Sequence, residues 1–153
     1  MSASELRNFV LKSRCIRAPR ERVFHAWTCE EELAAWWRPG RYRVEAVHID
    51  LRVGGAYEIL MLDPNGQRQR LFGVYVEVVA PERLVMTWTL EGSPADDGYE
   101  ALLTLEFREA SGNTLLRLTH EKLRPAALKN FDAGWEGLLP KLANQLEAPA
   151  ERA

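Results

Sequence analysis

Three histidines, two cysteines and five tryptophans are the side chains in these 153 residues whose types could carry chemistry. His120 comes first. It follows Leu116 and Leu118 at a spacing of two, so on a strand it shares their face, opposite Arg117, Thr119 and Glu121. An imidazole on an inward face is partly desolvated and could bind or transfer a proton. A histidine at the sheet rim, hydrogen-bonded to a loop, fits the same spacing. His48 and Asp50 also share a strand face, but Val47, Ile49, Leu51 and Val53 claim the inward side, so that pair is expected in solvent. His25 falls on the polar side of a short helix, opposite Val23 and Trp27. Cys15 and Cys29 stand outside any CxxC or Cys/His cluster and are expected to be structural thiols. No paired carboxylates, G-x-S-x-G, G-x-G-x-x-G, P-loop or His/Glu metal spacing occurs, so neither metal nor cofactor is expected.

The elements that must position these groups follow from periodicity. Residues 6–17 have strand length and stop at Ala18-Pro19, where proline cannot extend a ladder but suits the first turn of a helix. Val23, Ala26 and Trp27 then recur at three and four, a short amphipathic helix. Thr28 with Glu31 forms a capping-box pattern ahead of Leu33, Trp36 and Trp37, which predicts a second short helix ending at Pro39-Gly40. Glu30, Glu31 and Glu32 put negative charge where a helix N-terminus favours it.

From 41 to 123 the period is that of strands. RYRVEAVHIDLRV, AYEILML, RLFGVYVEVV, RLVMTWTL, YEALLTLEF and TLLRLTHEKL are separated by Gly54-Gly55, Asp63-Pro64-Asn65-Gly66, Ala80-Pro81-Glu82, EGSPADDG and Glu109-Ala110-Ser111-Gly112-Asn113. Such short connections predict an antiparallel meander. From Pro125 to Leu146, Leu128, Phe131, Trp135, Leu138, Leu139, Leu142 and Leu146 form one helical stripe, with Pro140 expected to kink or divide it. The fold class is α+β: a curved antiparallel sheet of about six to seven strands around a long C-terminal helix, with two short helices after the first strand.

Alternation selects Leu84, Met86 and Trp88, and Leu103, Leu105 and Phe107 as inward sets; in AYEILML both faces are apolar, Tyr57, Ile59 and Met61 against Leu60 and Leu62, and alternation leaves the facing open, with the first set the favoured one. Trp36 and Trp37 are adjacent on a helix, so one should seal the core and the other reach a cavity mouth. The candidate lining is therefore Trp37, Met61, Met86, Trp88, Phe107, His120, Phe131 and Trp135. An apolar and aromatic wall with one or two polar groups suits a small hydrophobic or aromatic ligand. The other arrangement open to the same residues is a solid core of packed rings.

Composition narrows the partners. One domain over 1–153, with a core of about 6–147, is expected at this length. It would bury about 68–70% of the unfolded surface without a disulfide or metal. A net charge of −2 and the absence of long basic runs exclude sequence-independent nucleic-acid binding. No apolar stretch is long enough to span a membrane and residues 1–15 lack the pattern of a signal peptide, so a cytoplasmic protein is expected. A homodimer through sheet edges is a further expectation.

Several phrases, taken in order, carry a resemblance. They are Ala18-Pro19-Arg20-Glu21-Arg22-Val23-Phe24 before Ala26-Trp27-Thr28, Leu33-Ala34-Ala35-Trp36-Trp37 with Pro39, Asp50-Leu51-Arg52-Val53-Gly54-Gly55, Gly73-Val74-Tyr75, Pro81-Glu82-Arg83-Leu84, Thr87-Trp88, Leu118-Thr119-His120 and Gly134-Trp135. From about residue 9 to 146 the chain resembles the START-like (SRPBCC) superfamily, and within it the family named for homology to the heat-shock chaperone ATPase activator. The resemblance implies a helix-grip fold with a deep cavity between sheet and C-terminal helix, the short helices acting as a lid. It implies three functional expectations: a hydrophobic-ligand binder, a cyclase, dehydratase or hydrolase using His120, or a chaperone-interacting module of the stress response. The eukaryotic activators carry an additional N-terminal domain that these 153 residues do not contain, which sets an expectation against chaperone activation.

Overall fold

The computed structural model describes residues 8–92 and 98–147. The first residues of the expected N-terminal strand, the centre of the EGSPADDG loop and the APAERA tail lie outside them. Seven strands form one antiparallel sheet: β1 (Phe9–Ile16), β2 (Arg43–Ile49), β3 (Ala56–Leu62), β4 (Arg68–Val79), β5 (Arg83–Glu91), β6 (Glu100–Ala110) and β7 (Asn113–Glu121). Their order is β1-β7-β6-β5-β4-β3-β2, a meander from β2 to β7 with β1 added beside β7. Val10 pairs with His120 and Leu103 pairs with His120 from the other side, so His120 sits in the middle of three strands, not at a rim.

Between β1 and β2 run α1 (Arg20–Thr28) and α2 (Glu30–Trp36). Extended Pro19 starts α1, and Val23, Phe24, Ala26 and Trp27 turn its buried stripe toward the sheet. The expected capping box at Thr28 and Glu31 does not form. Cys29 occupies the N-cap of α2 without a side-chain hydrogen bond, while the Thr28 hydroxyl donates back to the Phe24 carbonyl at 2.9 Å inside α1. Glu30 at the head of α2 accepts from the Ile49 amide at 2.8 Å and ties the helix to β2. The Glu30–Glu32 run does occupy the first turn.

After a 3-10 turn at Pro125–Ala127, α3 (Leu128–Glu147) runs as one helix. Pro140 lies inside it without dividing it; Trp135, Leu138, Leu139, Leu142, Ala143 and Leu146 are buried on both sides of the proline and hold the two halves on one stripe. Lys12 of β1 pairs with Asp132 and Glu136 at 2.9 and 2.6 Å and fixes the helix across the sheet edge.

The inward sets on β3, β5, β6 and β7 are buried as alternation predicts. The end of β2 differs. Its inward phase stops at half-buried Ile49, because the chain leaves the sheet at Asp50, and Leu51 and Val53 are exposed. Gly54 and Gly55 allow that departure: Gly54 has φ +84°, and a Cβ on Gly55 would stand 2.1 Å from the Asp50 carbonyl oxygen. On β4, Gly73 meets the same demand. A Cβ there would fall 2.1 Å from the Thr87 carbonyl oxygen, and the register then shifts between Tyr75 and Glu77.

Candidate functional site

All five tryptophans join one cluster between the short helices, the sheet and α3. Trp27 lies 4.7 Å from Trp36 between ring centroids, Trp36 lies 5.4 Å from Trp37, and Trp37 lies 5.9 Å from both Trp88 and Trp135. Trp88 and Trp135 close the set at 5.5 Å. Each edge-to-face or tilted pair adds about 0.5–1.5 kcal/mol beyond the area it buries, so the cluster is a strong structural centre. Trp36 anchors it: its indole N–H donates to the Ala26 carbonyl at 2.9 Å, and 1% of it is exposed.

One face of that cluster is a cavity wall. A cavity of about 310 Å³ opens beside it. Trp37, Pro39, Gly40 and Tyr42 bound it from the connection between α2 and β2; Met61, Gln69, Leu71, Trp88 and Leu90 from the sheet; and Asn130, Phe131, Gly134, Trp135 and Leu138 from α3, with Ala127 just before the helix. Trp37 caps α2 with extended backbone, which frees its ring from the helical direction of Trp36 and swings it over the space. Trp36 packs inside the cluster, and Trp37 borders the space.

Of the eight candidate residues, the structure brings Trp37, Met61, Trp88, Phe131 and Trp135 to this wall. Met86, Phe107 and His120 are inward but stand behind it. Phe107 packs edge-to-face on Phe24 at 5.4 Å, covered by α1, and Met86 is buried opposite Tyr75 and Leu103. The reason is geometric: alternation fixes which face a side chain takes, whereas covering by α1 and α3 decides which inward residues meet empty space.

His120 has no exposed surface. Its Nδ1 accepts the Trp135 indole N–H at 3.1 Å, and the Trp88 and Phe131 rings pack on it at 4.7 and 4.8 Å. An imidazole accepting at Nδ1 carries its proton on Nε2, and Nε2 finds no partner among the described residues. Burial disfavours the charged ring and lowers its pKa to about 3. His120 is thus a neutral acceptor that sets the tilt of Trp135, one layer behind the cavity surface. His25 and His48 are exposed, as expected, and both cysteines are free. Among the described residues no group of three or more His, Cys, Asp or Glu could hold a metal ion.

Sequence reasoning missed the polar part of the wall. Gln69 is buried on the inward face of β4, two residues before Leu71, and its Nε2 donates to the Tyr42 hydroxyl at 2.9 Å. The available signal was the phase of Gln69 with Leu71, hidden because the strand reads from sequence as starting at Arg70. The indole N–H groups of Trp37 and Trp88 are buried without a hydrogen-bond partner among the described residues.

With this geometry in hand, the chain can be set beside known proteins. A crystal structure of a Chromobacterium violaceum protein is 30% identical, covers 92% of this chain and 98% of its own, and superposes with a TM-score of 0.81. A Nitrosomonas europaea protein is 22% identical over 96% of this chain and 97% of its own, with a TM-score of 0.79. The solution structure of an AHSA1-like protein from Aeromonas hydrophila is 24% identical over 93% and 94%, with a TM-score of 0.73. No curated protein matches the chain. The family model described as Activator of Hsp90 ATPase homolog 1-like protein matches residues 17–147. Spanning most of the sequence and agreeing with the seven-stranded sheet wrapped on a C-terminal helix, that match places the chain in the Activator of Hsp90 ATPase homolog 1-like family of the START-like superfamily.

Proposed function

We propose that this protein binds a small hydrophobic or aromatic molecule in the cavity between sheet and α3, without covalent chemistry of its own. The observation that supports this reading is the wall itself: Trp37, Trp88, Phe131 and Trp135 present ring surface to about 310 Å³ of space. Ligand cavities of roughly 300–1,000 Å³ with mostly apolar lining and a few polar groups are the usual form of such sites. The acid–base alternative draws nothing from His120, which is buried behind Trp135 and held neutral.

Native mass spectrometry and isothermal titration against a library of lipids and aromatic metabolites test the reading. Aromatic or lipid ligands bound one per chain, at micromolar to millimolar affinity and quenching the tryptophan fluorescence, are the expected result. A library that yields no ligand refutes it. The family description brings a heat-shock chaperone into view as a partner, and the sheet edges a second copy of the chain. A pull-down with the cell's heat-shock chaperone and sedimentation of the purified protein test these two separately.

A further inference from the structure

Resting on the binding reading above, we infer that Tyr42 and Gln69 form the polar end of the cavity and select an uncharged aromatic ligand that carries a carbonyl-type hydrogen-bond acceptor.

Gln69 is out of place for a packing residue. It lies opposite Met61 in the β3–β4 ladder and in phase with Leu71, on a face that is otherwise apolar at this end of the sheet. Two other buried polar residues, Thr114 and His120, have local structural duties. The Thr114 hydroxyl donates to the Ala18 carbonyl at 2.7 Å, and His120 accepts from Trp135. Gln69 instead reaches Tyr42, and both residues belong to the cavity wall. A leucine would fill the same volume without an amide to desolvate, so packing alone does not call for glutamine.

The direction of that bond decides what the pair can read. A glutamine amide has two N–H donors and an acceptor oxygen, and the bond to Tyr42 uses one donor. The tyrosine hydroxyl, being the acceptor, keeps its own proton to donate, and no acceptor for it occurs among the described residues. The pair therefore offers a phenol O–H and an amide N–H from adjacent positions. A carbonyl oxygen, with two lone pairs, suits two such donors.

Charge is excluded by the rest of the wall. No Asp, Glu, Lys, Arg or His lines the cavity among the described residues. Lys141, which reaches the mouth at Gly40, already donates to the carbonyls of Arg38 and Gly40. A carboxylate or ammonium placed inside would lose hydration with no counter-ion. The tryptophan and phenylalanine surfaces then favour a flat aromatic body behind the carbonyl.

Four probes built on one bicyclic body test the inference by isothermal titration: 2-acetylnaphthalene, its hydrocarbon isostere 2-isopropenylnaphthalene, 2-naphthoate and 2-naphthylmethylammonium. The wild-type protein should bind the ketone about tenfold more tightly than the isostere, the difference that one or two well-placed neutral hydrogen bonds supply. Tyr42→Phe and Gln69→Leu should each reduce ketone affinity several-fold and leave the isostere unchanged or slightly favoured. Tyr42→Phe removes only a half-buried hydroxyl, so a result survives even if Gln69→Leu proves unstable. Equal binding of ketone and isostere, preference for either charged probe, or variants that weaken both neutral probes alike would overturn the head-group assignment while leaving the cavity a binding site. Failure of all four probes to bind would remove the binding reading and this inference together.

Discussion

Gly134 gives the sharpest test of whether the space beside the tryptophans is used. It stands between Phe131 and Leu138 at helical spacings of three and four, so its missing side chain belongs to the face of α3 that borders the cavity. A Cβ built there meets nothing within 4 Å. Glycine inside a helix costs about 0.8–1.0 kcal/mol relative to alanine, so Gly134→Ala should stabilise the protein by nearly that amount. For a chain of this size that is a rise in Tm of roughly 2–4 °C. Gly134→Leu keeps most of the helical gain and adds four carbon atoms; at roughly the 30 Å³ that a water occupies in the liquid, they would take on the order of 100 Å³. That is about a third of the 310 Å³ available. Thermal melts and titration of the same variants should therefore diverge: leucine at least as stable as wild type, with ligand affinity down about tenfold or more, alanine stabilised with affinity nearly intact. If Gly134→Leu binds as tightly as wild type, the ligand does not occupy this cavity. If even Gly134→Ala loses stability, the space beside Gly134 is not open.

Two further outcomes test the surrounding structure. The folded His120 imidazole stays neutral down to about pH 3, so between that value and the ordinary 6.5 the unfolded chain binds more protons than the folded one; stability is fully present above about 6.5 and is lost as pH falls, at up to about 1.4 kcal/mol per pH unit. His120→Asn, which keeps an acceptor near Nδ1 for Trp135, should be less stable at pH 7 but lose less on going to pH 5. Urea midpoints at the two pH values that fall in parallel for variant and wild type would show that His120 is not the group responsible. Gly73→Ala should destabilise by roughly 2–3 kcal/mol, because its methyl would meet the Thr87 carbonyl and not a yielding side chain; a urea midpoint within error of wild type would refute the close approach.

The fold was largely legible because its signals are local and repeated. Period-two alternation on β6 and β7 names the buried residues without reference to any partner strand, and the stripe from Leu128 to Leu146 places α3 against them; on β3 both faces read as apolar, and on β5 Val85 and Thr89 are buried on the second face as well. The misreadings occur where a long-range contact overrides a short-range pattern. Thr28 satisfies its hydroxyl inside α1 and leaves the capping box unformed. Leu51 and Val53 continue the alternation of β2 in sequence, yet the backbone of Gly55 must pack against Asp50, which takes both residues off the sheet. Of the two outcomes expected at Pro140, a kink or a division of the helix, the division does not occur: α3 runs through the proline, with buried residues on both sides of it.

The site was legible in kind and less so in membership. Five tryptophans in 153 residues pose a choice between packed core and lined cavity, and the structure answers with both at once. Trp27 and Trp36 are the packed side of the cluster; Trp37, Trp88 and Trp135 share rings with that side and turn their remaining surface to the space. In that wall Trp37, Trp88 and Trp135 pack on one another and on Trp27, and Trp135 also packs on the imidazole of His120 and donates to it. On the binding reading proposed above, a preformed wall would lose little entropy on binding and discriminate by shape. On the same reading, chemical discrimination would come, beside Asn130 and the indole N–H groups of Trp37 and Trp88, from the hydrogen-bonded pair of Tyr42 and Gln69. Neither residue announces this in sequence. Tyr42 precedes β2 and Gln69 opens β4 next to a turn, and only the pairing of β3 with both β2 and β4 brings the two together.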